Sequence, residues 1–138
     1  MRISTRGEYG LRAMLVLAGN YDQGPYPLRE IAQKEHISEQ YLEQLFRELR
    51  KCDLVTSYRG ARGGYVLARS PGEISIGDVL TALEGPVAPM QCVADDPEVC
   101  MHGDDCPTKV IWQKLKAAME DVLHGTTLAD LLTNATEE

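Results

Sequence analysis

The stretch from Leu28 to Arg69, LREIAQKEHISEQYLEQLFRELRKCDLVTSYRGARGGYVLAR, decides the fold. Leu28, Ile31 and Ala32 share one face of a short helix over 28–34, and a turn follows at His36-Ile37. Ser38 offers an N-cap oxygen to a second helix, which runs from Glu39 to about Lys51. Tyr41, Leu42, Leu45, Phe46 and Leu49 fall on the inward face of that helix, and Gln40, Glu43, Gln44, Arg47 and Arg50 are free to face outward. Leu54–Tyr58 and Tyr65–Ala68 read as strands joined by the tight turn Arg59-Gly60-Ala61-Arg62-Gly63-Gly64, with Pro71-Gly72 closing the hairpin. Helix, turn, helix and hairpin in that order describe a winged helix-turn-helix.

Working outward, Thr5 is placed to cap a first helix, with Glu8 three residues later as in a capping box. Tyr9, Leu11, Met14, Leu15, Leu17 and Ala18 give that helix an apolar face to about Asn20, where Tyr21–Pro27 breaks it. On the other side, Ser75 caps a helix from Ile76 to about Glu84, ended by Gly85-Pro86. A long helix is expected from about Thr108 to Leu123, striped by Val110, Ile111, Leu115, Ala118, Met119 and Val122 and stopped by Gly125. A short helix over Leu128–Leu132, capped by Thr126 or Thr127, and a frayed tail over 134–138 complete the chain. The fold is thus mainly α with a small β-hairpin. Residues 1–84 form the winged helix-turn-helix, 85–107 a cysteine-bearing loop, and 108–138 a dimerisation helix with a short C-terminal helix. A single long striped helix after so small a domain has little of its own chain to pack against, which fits a homodimer.

The 138 residues are 43% apolar, enough to bury a core. No apolar run approaches the ~20 residues of a membrane span, and the N-terminus lacks the apolar core and cleavage site of a signal peptide, so a cytoplasmic protein is expected. The net charge of −7 conceals an asymmetry. Residues 1–70 hold 11 Lys and Arg against 8 Asp and Glu, whereas residues 71–138 hold 3 against 13. Affinity for nucleic acid follows the local basic surface, and the basic half is the one with the winged helix. Its second motif helix would enter the major groove, where Ser38, Gln40 and Tyr41 are the first candidates to reach base edges, with Gln44 and Arg47 further along. Arg59 and Arg62, set among glycines at the hairpin tip, suit phosphate or a narrow minor groove. No nucleophile–base pair stands out, and Gly60–Gly64 lacks the spacing of a nucleotide-binding loop, so an enzyme is not expected.

Cys92, Cys100 and Cys106 lie within 15 residues, and Cys52 stands alone as a partly buried small hydrophobe. In a reducing compartment such a cluster marks a metal or redox site more often than disulfides. Three thiolates suit an iron–sulfur cluster, zinc or copper(I), and a cluster-free thiol switch is the remaining option.

The opening Met1–Arg12, the segments Leu28–Ala32, Ile37–Leu45, Leu54-Val55, Arg59–Arg69, and Ile74–Val79 to Glu84-Gly85 resemble the family of winged-helix repressors that includes IscR, NsrR and CymR, over nearly the whole chain. The resemblance implies a homodimer built on the long helix, a near-palindromic double-stranded DNA operator, and Arg59 in the minor groove. It also implies a cluster-sensing regulator, because three cysteines in this loop resemble the cluster-binding members. IscR-type proteins space those cysteines by five and five residues and place a histidine three residues after the last. Here the first spacer is seven and position 109 is lysine, so that histidine ligand does not carry over. NsrR-type sensors take a carboxylate from the first helix of the partner subunit, and Glu8 occupies the matching place. His102 is the rival ligand, with an external thiol or water as a third option. The IscR side of the resemblance favours [2Fe–2S] over [4Fe–4S], with zinc as the alternative, and CymR-type members imply a cluster-free regulator answering to a partner.

Overall fold

Phe46 is wholly buried, and so are Met14, Ile31, Leu42, Leu45, Leu49, Leu54, Ile74, Val79 and Leu128 around it. Each of these large side chains contributes roughly 1.5–3 kcal/mol by leaving water. The computed structural model describes residues 3–86 and 107–137, and the elements that supply this core follow in order. They are α1 (Thr5–Gly19), α2 (Leu28–Glu35), α3 (Glu39–Lys51), β1 (Val55–Tyr58), β2 (Gly64–Leu67), a 3-10 turn (Pro71–Glu73), α4 (Ile76–Glu84), α5 (Lys109–Gly125) and α6 (Leu128–Glu137). The two strands pair antiparallel, Val55 opposite Leu67 and Tyr58 opposite Gly64. The architecture is the expected one, mainly helical with a single hairpin. No described helix is long and apolar enough to cross a membrane.

The start of α1 differs from expectation. Ser4, not Thr5, is the N-cap, and its hydroxyl accepts from the Arg6 N–H at 3.2 Å. Glu8 does not reach back to close a capping box. It pairs instead with Arg12 one turn on, at 3.0 Å. A carboxylate from α4 takes its place: Glu84 Oε1 accepts from the Gly7 N–H at 2.8 Å, the Ser4 N–H at 3.2 Å and the Ser4 hydroxyl. Helix N-termini leave N–H groups without partners, and a negative charge there is favoured by the helix dipole. Partial burial works to raise the Glu84 pKa, but the hydrogen bonds from Ser4 and Gly7 and the charge of Arg6 outweigh it and hold the carboxyl below its ordinary value. Its stabilising contribution is therefore complete above the ordinary Glu range and is lost as pH falls through the depressed folded value. Close approach of α1 and α4 depends on small residues, since a Cβ at Gly7 would lie 3.0 Å from Glu84 Oε1 and one at Gly10 would strike the Leu83 side chain.

Beyond α4 the chain returns through α5. A backbone clasp fixes the α5–α6 junction, with the Ile76 N–H donating to Thr126 O at 2.8 Å and the Leu128 N–H to Ile74 O at 3.0 Å. His124 lies over Gly77, where a Cβ would come within 2.5 Å of the ring. No residue of α5 is fully buried, and Leu123 is its partly buried contact with the core. Gly125 is its last residue, not the residue beyond it. Thr127 caps α6, accepting from the Asp130 N–H at 3.2 Å while Asp130 accepts from the Thr127 N–H at 2.9 Å. α6 extends past the expected Leu132 to Glu137, because Leu128, Leu131 and Leu132 pack on the core beside α1.

Candidate nucleic-acid interface

The turn between α2 and α3 is made by His36, which closes α2 in the left-handed region at φ 57° and ψ 43°. The Ile37 N–H then donates to Ala32 O at 3.1 Å, and α3 leaves at once. Ser38 spends its hydroxyl on the cap of α3, accepting from the Tyr41 N–H at 3.1 Å, while the residue itself stays exposed. Gln40, Gln44 and Arg47 are exposed at helical spacing, and their side chains have no hydrogen-bond or ion-pair partner among the described residues. Such a row of unpaired donors and acceptors can meet base edges and phosphates. Tyr41 is half-buried and held against α1. Its ring meets Tyr9 edge to face at 6.4 Å between centroids, and its hydroxyl lies 3.4 Å from Thr5 Oγ1.

The hairpin is anchored to α3 and to the loop after α1. Tyr65 and Phe46 rings pack at 4.9 Å, and Arg50 Nη1 donates to Ser57 Oγ at 3.2 Å. Tyr26 and Tyr65 exchange backbone bonds of 2.9 and 3.0 Å, which adds a third short strand segment to the sheet. Gly64, at φ +150°, is what allows this, because a Cβ there would overlap the Tyr26 carbonyl. Gly60 at φ +106° and the Gly63 N–H to Gly60 O bond of 3.0 Å make the tip. Arg59 and Arg62 sit on that tip, exposed and without a partner among the described residues. The structure therefore brings the α3 row and the tip arginines onto a frame shared through Phe46 and Tyr65. The sequence reading missed two positions, Arg50 as a strut between helix and hairpin, and Glu84 as the anchor of α1.

The metal candidates fare differently. Cys92, Cys100, Cys106 and His102 lie outside the described residues. Glu8 is exposed on the first turn of α1, 53% accessible and paired only with the equally exposed Arg12. Cys52, expected to be partly buried, is exposed at the C-cap of α3, because the α3 face that enters the core ends at Leu49. Among the described residues no three His, Cys, Asp or Glu side chains are gathered to hold a metal.

A helix-turn-helix with unpaired polar groups on its second helix, flanked by an arginine-tipped wing, defines a DNA-binding regulator. Residues 3–134 match the model of the Rrf2 family, described as an iron-dependent transcriptional regulator, and the chain belongs to that family. It is 43% identical over 131 residues to the HTH-type transcriptional regulator CymR of Bacillus subtilis (strain 168), covering 95% of this chain and 89% of that one. It is 42% identical over 134 residues to the regulator IscR of Sodalis glossinidius (strain morsitans), covering 97% and 80%. Among solved structures it resembles CymR (YrzC), the global cysteine regulator of B. subtilis, with a TM-score of 0.82 at 42% identity over 97% of this chain and 98% of that one. It is a transcription regulator and not an enzyme, as its relatives are.

Proposed function

We propose that the chain is a homodimeric repressor whose hold on a near-palindromic DNA operator is set by an iron–sulfur cluster, [2Fe–2S] in preference to [4Fe–4S]. Gln40, Gln44 and Arg47 face base edges and adjoining phosphates, with Ser38 and Tyr41 at the head of the same helix. Arg59 and Arg62 take the flanking groove or backbone. Pairing through α5 brings two such surfaces onto two half-sites. Arg59→Ala is expected to weaken operator binding about ten-fold and to lower the slope of log affinity against log salt by about one, as measured by fluorescence anisotropy over a salt series.

One observation carries the cluster reading: three thiols fall within 15 residues between the end of α4 and the start of α5. Thiolates are the ligand type iron–sulfur clusters take, and when bound the cluster supplies sensitivity to iron, oxidants or nitric oxide. Cys92, Cys100 and Cys106 would hold it, with the partner subunit's Glu8 as the fourth ligand and His102 as its rival. The exposure of Glu8 supports this, because its surface pair with Arg12 is worth only about 0.3–0.5 kcal/mol and is easily given up. Replacing all three cysteines by serine is expected to abolish the visible absorption of anaerobically reconstituted protein. Operator affinity should then no longer change with redox state. Parent and variant equal in colour and in redox response would defeat the reading.

A second reading is a cluster-free regulator of the same fold, controlled by a thiol switch, by zinc or by a partner protein. The near-equal identity to CymR and IscR favours keeping it. Parent protein that stays colourless after reconstitution with iron and sulfide, yet changes DNA affinity on thiol oxidation, would select the switch.

A further inference from the structure

A carboxylate at the last residue of a helix is disfavoured by that helix's own dipole. Glu84 occupies that position on α4, yet its three hydrogen bonds all go to the first turn of α1, to Gly7 N–H, Ser4 N–H and the Ser4 hydroxyl. Arg6 in the same turn reaches back, its Nε donating to Leu83 O at 3.2 Å. On its other side this turn touches α3, where Thr5 Oγ1 lies 3.4 Å from Tyr41 Oη and Tyr9 meets the Tyr41 ring. Tyr41 is the residue whose N–H the Ser38 cap receives, so the wall behind it also backs the head of α3. An unbroken series of direct contacts thus runs from the end of α4 to the end of α3 that carries Ser38, Gln40 and Tyr41.

We infer that Glu84 is a positioning residue for operator binding, holding the first turn of α1 and, through Tyr9 and Thr5, the head of α3 in its DNA-reading pose. This rests on the reading of α3 as the recognition helix and does not depend on the cluster. Without the carboxylate the first turn of α1 loses its acceptor and loosens, and Tyr41 loses its wall. Gly85, at φ +88°, turns the chain out of α4 directly after Glu84.

The sign of the effect separates positioning from charge. Removing a carboxylate tightens binding to a polyanion if charge alone acts, and weakens specific binding if placement acts. The test compares Glu84→Ala and Ser4→Ala with the parent chain, all well below their melting temperatures. The probes are a duplex selected by the parent protein from fragmented genomic DNA and a scrambled duplex of equal length. Glu84→Ala is expected to lose about ten-fold on the selected duplex and nothing on the scrambled one, with Ser4→Ala between it and the parent. In a Tyr9→Leu background, adding Glu84→Ala should cost only about three-fold, because the ring contact is gone and the Thr5–Tyr41 contact is the one left for it to work through. Hydrogen exchange, read without DNA, should quicken about ten-fold at the Tyr41 and Leu42 amides in Glu84→Ala. Unchanged exchange there overturns the proposal, as does tighter or equal binding to the selected duplex, equal loss on both duplexes, or a full ten-fold loss in the Tyr9→Leu background. If the parent selects no duplex, the DNA reading fails by itself, and the exchange arm still decides the link between Glu84 and α3.

Discussion

Charging the exposed apolar face of α5, with Ile111→Glu and Leu115→Glu together, is expected to convert the proposed dimer to a monomer and weaken operator binding about a hundred-fold or more. Ile111, Leu115 and Val122 are 54%, 41% and 65% exposed in the single subunit, and Ala118 completes a row at spacings of four, three and four residues. That spacing makes a continuous seam along a helix and is the pattern by which two helices pack side by side. No α5 residue is buried within its own subunit, so the substitutions leave the core untouched. Two glutamates in each copy would face their counterparts across the seam, and linked half-site binding would be lost. Sedimentation equilibrium reads the assembly, anisotropy reads the DNA, and retained helical circular dichroism shows that the subunit still folds. A variant that remains dimeric would place the interface elsewhere.

Gly64→Ala is expected to lower stability by about 3 kcal/mol and to detach the wing. The native φ of +150° strains any residue with a Cβ, and the added methyl would overlap the backbone carbonyl of Tyr26, which no side-chain rotation can relieve. The two bonds between Tyr26 and Tyr65, each worth about 0.5–1.5 kcal/mol, would break with it. Gly60→Ala is the control. Its φ of +106° carries the conformational cost, but nothing lies within 4 Å of the new atom, so a smaller loss of about 1–2 kcal/mol is expected. Urea titration resolves the pair, and equal midpoints for the two variants would show that the Tyr26 contact is unimportant.

The helix-turn-helix and hairpin were legible because their signals are local. Three apolar positions on one turn, a serine at a cap and a glycine-rich tip between two strands each act within a few residues. What escaped was settled by distant chain. Thr5 and Glu8 have the spacing of a capping box, but Ser4 is the cap, and the carboxylate that accepts from the Ser4 and Gly7 N–H groups is Glu84, 77 residues beyond Gly7. Nothing local to Glu84 shows that it faces another helix. Tyr41 fits both the inward and the base-reading pattern, and only the position of Tyr9 shows that its ring is held against α1. The length of α6 depended on a face offered by α1. The DNA candidates were legible as outward-facing polar positions, while Arg50 needed Ser57 beside it to be read as a strut. For the metal candidates, spacing and donor chemistry remain the argument, and of the ligand residues only Glu8 falls in the described part.

The naked length of α5 has a consequence for how such a protein answers to its own abundance. On the proposed pairing through α5, a subunit must meet its twin before it can read two half-sites. Below the concentration at which pairs form, the active species grows as the square of the number of subunits made. Modest changes in synthesis or turnover would then be amplified at the promoter, so that gene dosage becomes a control input alongside the proposed chemistry at the cysteines.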